Sequence, residues 1–492
     1  MTKLFKSLFL VCFIAAAFLS CGTTQTVYRT QIVEVEVPRT CFLIPTETPA
    51  RPAGQTHVVG LRAEPMETIR VGVIGLGMRG PHFVQRLLHI DGVEVVALCD
   101  LHRDRAVGTY ERFIAPAGRP TPAFYYGPDG WKEMVRRNDI DLVYITADWR
   151  RRGEMIVYAV ENGKHVATEH PGATSMEEIW NIINAAEKHQ KHVMLLANVV
   201  YGSFELTTLN MIQQGVFGEI LYAEGAYIHQ LLPYWHMYEG DWRMIENRRL
   251  RGDIYPIHGI GSAALALNIN RGDRMTRLVS MDTRPVSIPN FLNETRGETL
   301  SHCHEDFANG QNTITLIQTE HGRAINLHRD IASPRPYSRM YAVQGTKGYL
   351  QMWPWRARGM TLVRDQILAL TGNEELASRH GTGTSWLPDE VRDELLERFR
   401  HPILTDEMQE TASRLGRIAH GGMDFIMDFR LIYALRHGLP LDMNVYDLAA
   451  WSSIVPLSAV SLEHGNAPVE IPDFTRGYWD LQQGVHFYLS TE

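Results

Sequence analysis

The stretch that decides the fold is Ile69–Asp100, which reads IRVGVIGLGMRGPHFVQRLLHIDGVEVVALCD. Its apolar run Val71–Ile74 is typical of a strand that is buried on both faces of a parallel sheet. Three glycines follow at GxGxxG spacing, and after them come an apolar helical face and a second strand-like run that ends on Asp100. Strand, glycine turn, helix and strand in this order predict a βαβ unit.

Each glycine of the turn has its own physical task in a dinucleotide site. Gly75 permits the tight turn, Gly77 lets the main chain approach a pyrophosphate, and Gly80 lets the helix pack closely on the strand. Phosphates then lie at the positive end of the helix. Asp100 stands where a carboxylate accepts hydrogen bonds from a ribose hydroxyl and repels a 2′-phosphate, so the stretch predicts NAD rather than NADP. A chance glycine turn is the alternative, and the ordered flanking elements disfavour it.

Length and composition describe an ordinary globular chain. It has 492 residues, 45% of them hydrophobic and 21% charged, which is enough for two or three domains. The formal net charge is −8 and no basic stripe is present, so we expect no nucleic-acid partner. The five scattered cysteines form neither a disulfide framework nor a CxxC metal pair.

The N-terminus has the pattern of a targeting segment. Lys3 and Lys6 precede an apolar run, Leu8–Leu19, that is short for a membrane span and typical of a signal-peptide core. The following Ser-Cys-Gly resembles a bacterial lipobox with Cys21 as the lipidated residue, and an ordinary signal peptide is the alternative. We therefore predict a signal peptide over 1–21 and an exported lipoprotein, periplasmic or at the cell surface, that meets the membrane only through its lipid anchor. The proline- and threonine-rich residues 22–66 are predicted to be a tether.

The rest of the chain divides by pattern into two predicted domains. Over 67–197, strands alternate with helices, which predicts an α/β domain with a doubly wound parallel sheet and ligands at the carboxyl ends of the strands. Over 198–492, several strands follow one another with short links before C-terminal helices. That pattern predicts an α+β substrate domain with a mostly antiparallel open sheet.

Specific motifs carry a family resemblance. A dinucleotide-binding half that ends in Glu169-His170-Pro171 after Lys-His-Val resembles the Gfo/Idh/MocA oxidoreductases. The second half, with segments such as IYPIHGIG (254–261), SPRPYSRMYAVQGTKG (333–348) and PLDMNVYDLAAWSSIVPLS (440–458), resembles glycoside hydrolase family 109. The resemblance runs from Arg70 to the C-terminus and implies an NAD-dependent α-N-acetylgalactosaminidase-like enzyme.

The resemblance also implies site residues. The implied NAD contacts, beyond the glycine turn, are Met78, Arg79, Asp100, Trp149, Arg152, Glu169, His170, Asn198, Tyr255 and His258. The implied sugar contacts are Tyr227, Arg243, Tyr255 and Tyr337. Two departures stand at the expected nicotinamide end: the family usually has Trp-Glu-Trp-His where this chain has Trp149-Arg150-Arg151-Arg152, and Glu-Val-Pro where it has Glu169-His170-Pro171.

The implied reaction is hydrolysis by temporary oxidation. A hydride leaves C3 of the sugar, the C2 proton is removed, the group on C1 is expelled, water adds, and the hydride returns. Such a route needs bases with a pKa near the working pH. We expect His258 to be the first, with a structural turn histidine as the alternative, Tyr227 to assist, and His420 to be a second acid/base.

Other functions stay open at this point. The cluster His302, His304 and Glu305 contains metal-ligand types, but no further ligand pair has a recognisable spacing, so we predict no metal site. A sugar dehydrogenase of the broader family and a non-catalytic sugar-binding lipoprotein are the competing functions. The expected partner is a small-molecule or glycan substrate, and a homo-oligomer is possible.

Overall fold

The computed structural model describes residues 9–16, 27–34, 43–237, 242–302, 304–354 and 358–488. The side chains of 9–16, 27–34 and 417–419 are outside that description. The chain forms two compact units, Met1–Leu43 and Ile44–Glu492.

The first unit contains a β-hairpin. Strand β1, Phe9–Ala16, pairs antiparallel with β2, Val27–Glu34. Residues 9–16 of the apolar run that we predicted to be a signal-peptide core thus form a strand, as its β-branched and aromatic residues permit. The predicted lipidation site, Cys21, lies outside the described residues, and export and lipidation stay predictions.

The second unit begins with a six-stranded parallel sheet. Its spatial order is β5-β4-β3-β6-β7-β8, and all of its neighbouring strands run parallel. The strands are β3 Ile69–Ile74, β4 Val93–Asp100, β5 Ala123–Tyr126, β6 Leu142–Ile145, β7 His165–Thr168 and β8 Val193–Leu195. The intervening helices are α1 Gly80–Leu87, α2 Arg103–Thr109, α3 Gly130–Val135, α4 Trp149–Glu161 and α5 Met176–His189, with a π-helical turn at Tyr110–Ile114. This is the doubly wound order of dinucleotide-binding folds, which confirms the predicted fold class.

The second sheet has eight strands in the order β15-β14-β13-β9-β12-β11-β10-β16. Among its described pairs, only β9 and β12 run parallel, so the predicted mostly antiparallel sheet is confirmed. Its strands are β9 Ile220–Ile228, β10 Met275–Asp282, β11 Asn312–Thr319, β12 Ala324–Asp330, β13 Ala342–Gly345, β14 Gly348–Gln351, β15 Gly359–Leu362 and β16 Val469–Glu470.

Helices cover and flank this sheet. The α-helices are α6 Ser203–Gln213, α7 Trp242–Arg249, α8 Ile257–Ala266, α9 Ser287–Arg296, α10 Arg364–Thr371, α11 Glu374–His380, α12 Asp389–Arg398, α13 Asp406–Leu415, α14 Met423–His437, α15 Val445–Ser452 and α16 Ile454–Glu463. The 3-10 helices are Asn198–Tyr201, Leu232–Met237 and Gly416–Gly422.

Two glycines let α8 lie directly on the second sheet. A Cβ atom on Gly225 of β9 would stand 2.5 Å from the Cα atom of Gly259, and one on Gly259 would stand 2.8 Å from the amide nitrogen of Ala226. Helix and strand backbones therefore touch. This contact brings the start of α8 beside the end of β9, where the candidate site lies.

The predicted tether is wrong for residues 44–66. Arg51 donates two hydrogen bonds to the buried carboxylate of Glu187, and the amide of Val58 donates to the hydroxyl of Tyr446 at 3.0 Å. Ile44 pairs with Val469 beside the second sheet. The partners lie more than a hundred residues away, so local composition gave no sign of them.

One described segment, Val445–Glu463, is long and apolar enough to cross a membrane by length and composition. It comprises α15 and α16, and 83% of it is buried inside the protein. The segment is therefore part of the core.

Candidate active site

Of the three glycines in the turn between β3 and α1, only one has open space where a side chain would stand. Gly75 has φ +90°, and a Cβ atom there would stand 2.7 Å from the amide nitrogen of Ala147. A Cβ on Gly80 would strike the carbonyl oxygen of Gly75. At Gly77, by contrast, the nearest atom is a guanidinium nitrogen of Arg105 at 3.8 Å. The fold requires the first and third glycines, whereas the second leaves space for a ligand, as a pyrophosphate site demands.

Asp100 lies at the mouth of this turn. Its carboxylate accepts hydrogen bonds from the amides of Leu76, at 2.6 Å, and His102, at 3.0 Å. The guanidinium of Arg105 stands 3.6 Å away. These contacts fix the carboxylate at the carboxyl end of β4, which is where the ribose of a dinucleotide lies in this fold.

A second carboxylate, Asp424 at the start of α14, gathers residues from four segments. It is fully buried, and Arg79, Arg86 and Asn198 contact it at 2.9, 3.3 and 2.6 Å. The Nδ1 atom of His420 lies 2.9 Å from the same carboxylate. Burial alone would raise the pKa of Asp424, but the hydrogen bond from His420 and the positive charges outweigh it and hold that pKa well below its usual range.

His420 is therefore oriented by a carboxylate. The distance of 2.9 Å requires an Nδ1–H donor, because an unprotonated nitrogen and a carboxylate oxygen would repel each other. Arg79 also contacts Nδ1, at 3.3 Å, and pairs with Glu169 at 3.2 Å. With Nδ1 engaged, Nε2 is the atom of His420 that is left to exchange a proton with a ligand.

Arg152 and His170, one residue from each departure from the family pattern, lie against each other at the end of β7. Arg152, 3% exposed, donates to the carbonyl oxygens of Ala147, Glu169 and Pro171 at 2.5, 2.9 and 2.8 Å. Burial lowers the pKa of Arg152 to about 10. Burial, together with the charge of Arg152, also holds the pKa of His170 well below its usual range, so this imidazole is neutral.

An aromatic cluster lies on the other side of His170. Tyr255 contacts it edge to face at 5.0 Å between ring centroids and packs on Tyr227 at 4.6 Å. Trp149 stacks on Trp242 at 4.6 Å, and Trp242 stacks on Tyr255 at 6.2 Å. Aromatic faces of this kind are typical walls of small-molecule pockets.

Polar groups converge on the same cluster. The guanidinium of Arg243 lies 5.8 Å from the ring centroid of Tyr255. The hydroxyl of Tyr227 lies 3.3 Å from Nδ1 of His229, and Tyr337 packs edge to face on His229 at 5.1 Å. A few polar groups set among aromatic rings can orient a sugar by its hydroxyls.

His258, at the start of α8, faces the two tyrosines. Its ring lies 4.8 Å from that of Tyr227 and 5.2 Å from that of Tyr255. Burial, with Arg339 the next contributor, lowers the pKa of His258 well below its usual range. Its Nδ1 atom is buried and has no hydrogen-bond partner within the described part of the chain. The imidazole is thus neutral, and its pKa lies below the range that we expected of the first base. Because Nδ1 is buried, Nε2 is the ring nitrogen that can meet a ligand.

Comparison with known proteins agrees with this geometry. Residues 69–196 match the model of the oxidoreductase family with an NAD-binding Rossmann fold, and residues 201–481 match that of the glycosyl hydrolase 109 C-terminal domain. A glycosyl hydrolase family 109 protein of Phocaeicola vulgatus is 48% identical over 439 residues, which cover 89% of this chain and 90% of that protein. One from Bacteroides thetaiotaomicron is 48% identical over 442 residues, covering 90% and 92%.

The chain belongs to glycosyl hydrolase family 109. It is accordingly an enzyme, a glycoside hydrolase or a related sugar oxidoreductase, with an NAD-binding Rossmann domain. The resemblance stated from the sequence is confirmed.

Solved structures support the fold. Levoglucosan dehydrogenase, in complex with NADH and L-sorbose, superimposes with a TM-score of 0.57 at 16% identity, covering 83% of this chain and 100% of that one. Apo scyllo-inositol dehydrogenase from Lactobacillus casei gives 0.55 at 14% identity, covering 82% and 98%. These neighbours are too distant in sequence to say more than that the fold is shared.

For this family 109 member, the predicted site residues fall into two adjoining groups. The first surrounds the start of α1 and comprises Gly75, Gly77, Met78, Arg79, Gly80, Asp100, Glu169, Asn198 and His420. The second is the aromatic cluster, with Tyr227, Arg243, Tyr255, His258 and Tyr337. Trp149 and His170 lie where the two meet. Arg152 is the exception, because its guanidinium donates to main-chain carbonyls rather than into either group.

Sequence reasoning missed several residues that hold these groups in place. Asp424 orients His420, Trp242 completes the aromatic stack, and the buried Arg329 lies behind it. A charged residue in an apolar helix or strand was the available signal, since such residues are rarely buried without a partner. The partners of Arg329 were not visible in the sequence, whereas the partner of Asp424, His420, stands only four residues before it.

A separate groove of about 510 Å³ lies between α4 and α5. Glu154, Glu161 and Asn181 are among its lining residues, and none of the predicted site residues is. The groove is on the outer side of the parallel sheet's helices, so it is not the site described above.

Proposed function

We propose that the chain is an NAD-dependent glycosidase that acts on glycosides of N-acetylgalactosamine or a related amino sugar. The observation that carries the proposal is the position of Tyr255. It contacts His170, at the carboxyl end of a dinucleotide-binding sheet, and also Tyr227 and His258 of the aromatic cluster. A cofactor at the strand ends and a sugar on the tyrosines would be neighbours.

The residues at the first group fit a dinucleotide. Gly77 leaves its face of the turn open, Gly75 and Gly80 hold the turn close to α1, and Asp100 is fixed for a ribose. NAD, when bound, supplies a hydride acceptor that is regenerated within each turnover. Because the cofactor is not consumed, one bound molecule serves many turnovers.

The residues of the second group can move the protons that such a reaction requires. Neutral His258 can take the proton of a sugar hydroxyl at Nε2, since its Nδ1 is buried, and the ring of Tyr227 packs against it. Loss of the group on C1 requires a second proton transfer, which we assign to Nε2 of His420. Asp424 stabilises the charge that His420 gains.

The activity test uses nitrophenyl α-N-acetylgalactosaminide with the purified full chain in D₂O. Cleavage with deuterium incorporation at C2 of the released sugar is the expected result. Stoichiometric NADH formation from free sugar, without cleavage, would instead identify a sugar dehydrogenase and overturn the proposal. Mass spectrometry of the denatured protein tests for NAD(H) independently of activity, and its absence would leave the sugar-binding lipoprotein as the better hypothesis.

The role of His258 is tested by a matched pair of variants. We expect His258→Gln to lower kcat by roughly 10²-fold or more at saturating NAD, with NAD affinity measured separately because His258 is also an implied cofactor contact. His464→Gln, at an exposed histidine at the end of α16, is the control and should leave kcat as it is. Equal activity of the two variants would contradict the assignment.

A further inference from the structure

A buried arginine lies directly behind the aromatic cluster. Arg329, on β12, is 1% exposed and pairs in register with Tyr227 on β9. Burial lowers its pKa to about 10, so it still carries its charge at neutral pH. A buried cation is costly unless its donors are used. Both Nη atoms of Arg329 donate to asparagine side chains, Nη1 also reaches the carbonyl oxygen of Gly310 at 3.5 Å, and Nε has no partner among the described residues.

The guanidinium fixes which way both amides point. Nη1 donates to Oδ1 of Asn309, and Nη2 donates to Oδ1 of Asn247 at 2.7 Å. Arginine has no acceptor, so each asparagine must present its oxygen to it and turn its NH₂ group away. The Nδ2 atom of Asn247 then donates to the carbonyl of Arg243 at 2.8 Å, and that of Asn309 donates to the carbonyl of Gly252 at 2.8 Å.

These two hydrogen bonds hold both ends of one segment in place. Residues 243–252 begin beside Trp242 and end beside Asp253, whose carboxylate accepts the amide of Tyr255 at 3.2 Å. The segment therefore connects Trp242 and Arg243 of the aromatic wall to Tyr255. Its middle receives further bonds: the main-chain amides of Ala308 and Asn309 donate to the carbonyls of Arg248 and Asn247 at 3.2 and 3.1 Å, and Nδ2 of Asn309 also donates to the carbonyl of Leu250 at 3.2 Å.

We propose that Arg329 is a positioning residue for the sugar pocket: through Asn247 and Asn309 it holds the 243–252 segment so that Trp242, Arg243 and Tyr255 face the substrate. The proposal rests on the proposed function, since it takes these three residues to line the sugar site. Arg329 touches neither the sugar nor the dinucleotide, so its loss should weaken sugar binding and leave cofactor binding intact.

Two variants separate this role from general support of the fold. Arg329→Lys keeps the positive charge but loses the planar pair of donors that the two asparagines share. Asn247→Asp keeps the size and the acceptor for Arg329, but it removes the donor to the carbonyl of Arg243. Arg271→Lys is the matched control, because Arg271 is 3% exposed, bonds to Asp447 and lies outside the site.

Hydrogen exchange measured by mass spectrometry gives a readout that needs no activity. In Arg329→Lys and Asn247→Asp we expect the amides of 243–255 to exchange at least about 10-fold faster, with those of 69–100 unchanged. Arg271→Lys should leave 243–255 as in the parent chain. Unchanged exchange at 243–255 in both site variants would overturn the proposal, whatever the chain's activity proves to be.

Kinetics on the glycoside that the parent chain cleaves gives the second readout. We expect both site variants to raise KM by about 10-fold to 100-fold, because a small misplacement of substrate-contacting groups has effects of that size. The dissociation constant for NAD should stay within about 2-fold. A fall in thermal stability with KM unchanged would show a merely structural role. Absence of activity in the parent chain itself would refute the proposed function, and the exchange experiment would still decide on Arg329.

Discussion

Arg152 brackets His170: one guanidinium nitrogen of Arg152 donates to the carbonyl oxygens of the residues on either side of the imidazole, Glu169 and Pro171. Arg152 and His170 are two of the chain's departures from the usual family pattern, with Arg150 and Arg151 as the others, and they are neighbours in space. The arginine donates to main-chain carbonyls and the histidine is neutral. These two departures therefore rebuild the support at the carboxyl end of β7, whereas Arg150 and Arg151 are more exposed and pair with acidic side chains.

We expect Arg152→Met to destabilise the fold by about 3 kcal/mol, because three carbonyl groups lose a charged donor in a buried place. The free energy of unfolding from urea titration measures this. Arg150→Met is the control: that side chain is 53% exposed and pairs with the exposed Asp148, so the change should stay within about 0.5 kcal/mol. Equal effects of both substitutions would contradict the assigned role of Arg152.

The first two glycines of the turn should respond in opposite ways to alanine. Gly75→Ala places a side chain at φ +90° against the main chain of Ala147, and we expect a loss of at least about 2 kcal/mol of stability. Gly77→Ala meets open space, so its melting temperature should be unchanged while its dissociation constant for NAD rises about 10-fold or more. Calorimetric titration with NAD measures the second effect. A stable Gly77→Ala variant with parental affinity would mean that the dinucleotide does not pass over this turn.

The fold could be predicted because its determinants are local. Residues 69–100 contain a complete βαβ unit, and the alternation of short apolar runs with helical faces extends it to 197. The strands β9 and β11 belong to the run of strands that the pattern over 198–492 predicted. The segment 44–66 was mistaken for a tether because its anchors, such as Glu187 for Arg51, are contributed by distant parts of the chain.

The site was predictable in its parts and not in its connections. The glycines and Asp100 followed from physical reasoning, whereas Tyr227, Tyr255 and Tyr337 came from the family resemblance. No pattern linked Arg86 to Asp424, or Arg329 to Asn247 and Asn309, because each of these pairs is brought together by packing between separate elements. Buried polar networks of this kind are satisfied by tertiary structure, which a periodicity does not contain. His420 and Asp424, by contrast, stand four residues apart, so their spacing was a local signal that sequence reasoning did not use.

Asp424 and His420 should behave as one unit. We expect Asp424→Asn to lower kcat by roughly 10²-fold, because a neutral amide oxygen holds Nδ1–H less firmly than a carboxylate and does not stabilise an imidazolium. His420→Gln should cost about as much, and the double variant should cost no more than either single one. Stability should also fall in Asp424→Asn, by about 3 kcal/mol, since Arg79 and Arg86 lose a buried counter-charge.

Steady-state rates at saturating substrate, with NAD affinity measured separately, test this coupling. NAD affinity is needed because Asp424 also holds Arg79 and Asn198, which are predicted cofactor contacts. Additive losses in the double variant would mean that the carboxylate acts on something other than His420.

Asp253 should make stability depend on pH. Burial raises its pKa from 3.8 to about 6, although the charge of Arg329 and the amide of Tyr255 oppose this rise. Between these two values the unfolded chain releases a proton that the folded chain retains, so stability is fully present below about pH 4 and falls as pH rises towards 6. A tenfold change in the proton's binding constant corresponds to about 1.36 kcal/mol, so the loss of stability amounts to about 3 kcal/mol.

The comparison of the parent chain with Asp253→Asn isolates this one group, because every other titrating residue, including the buried Asp428, is common to both proteins. The amide cannot ionise, so the parent's free energy of unfolding should fall by about 3 kcal/mol relative to the variant's between about pH 4 and pH 7. Urea titrations at closely spaced pH values would resolve the change. A difference that is flat over this range would mean that Arg329 keeps Asp253 ionised throughout, and the carboxylate would then act as a permanent counter-charge beneath the sugar pocket.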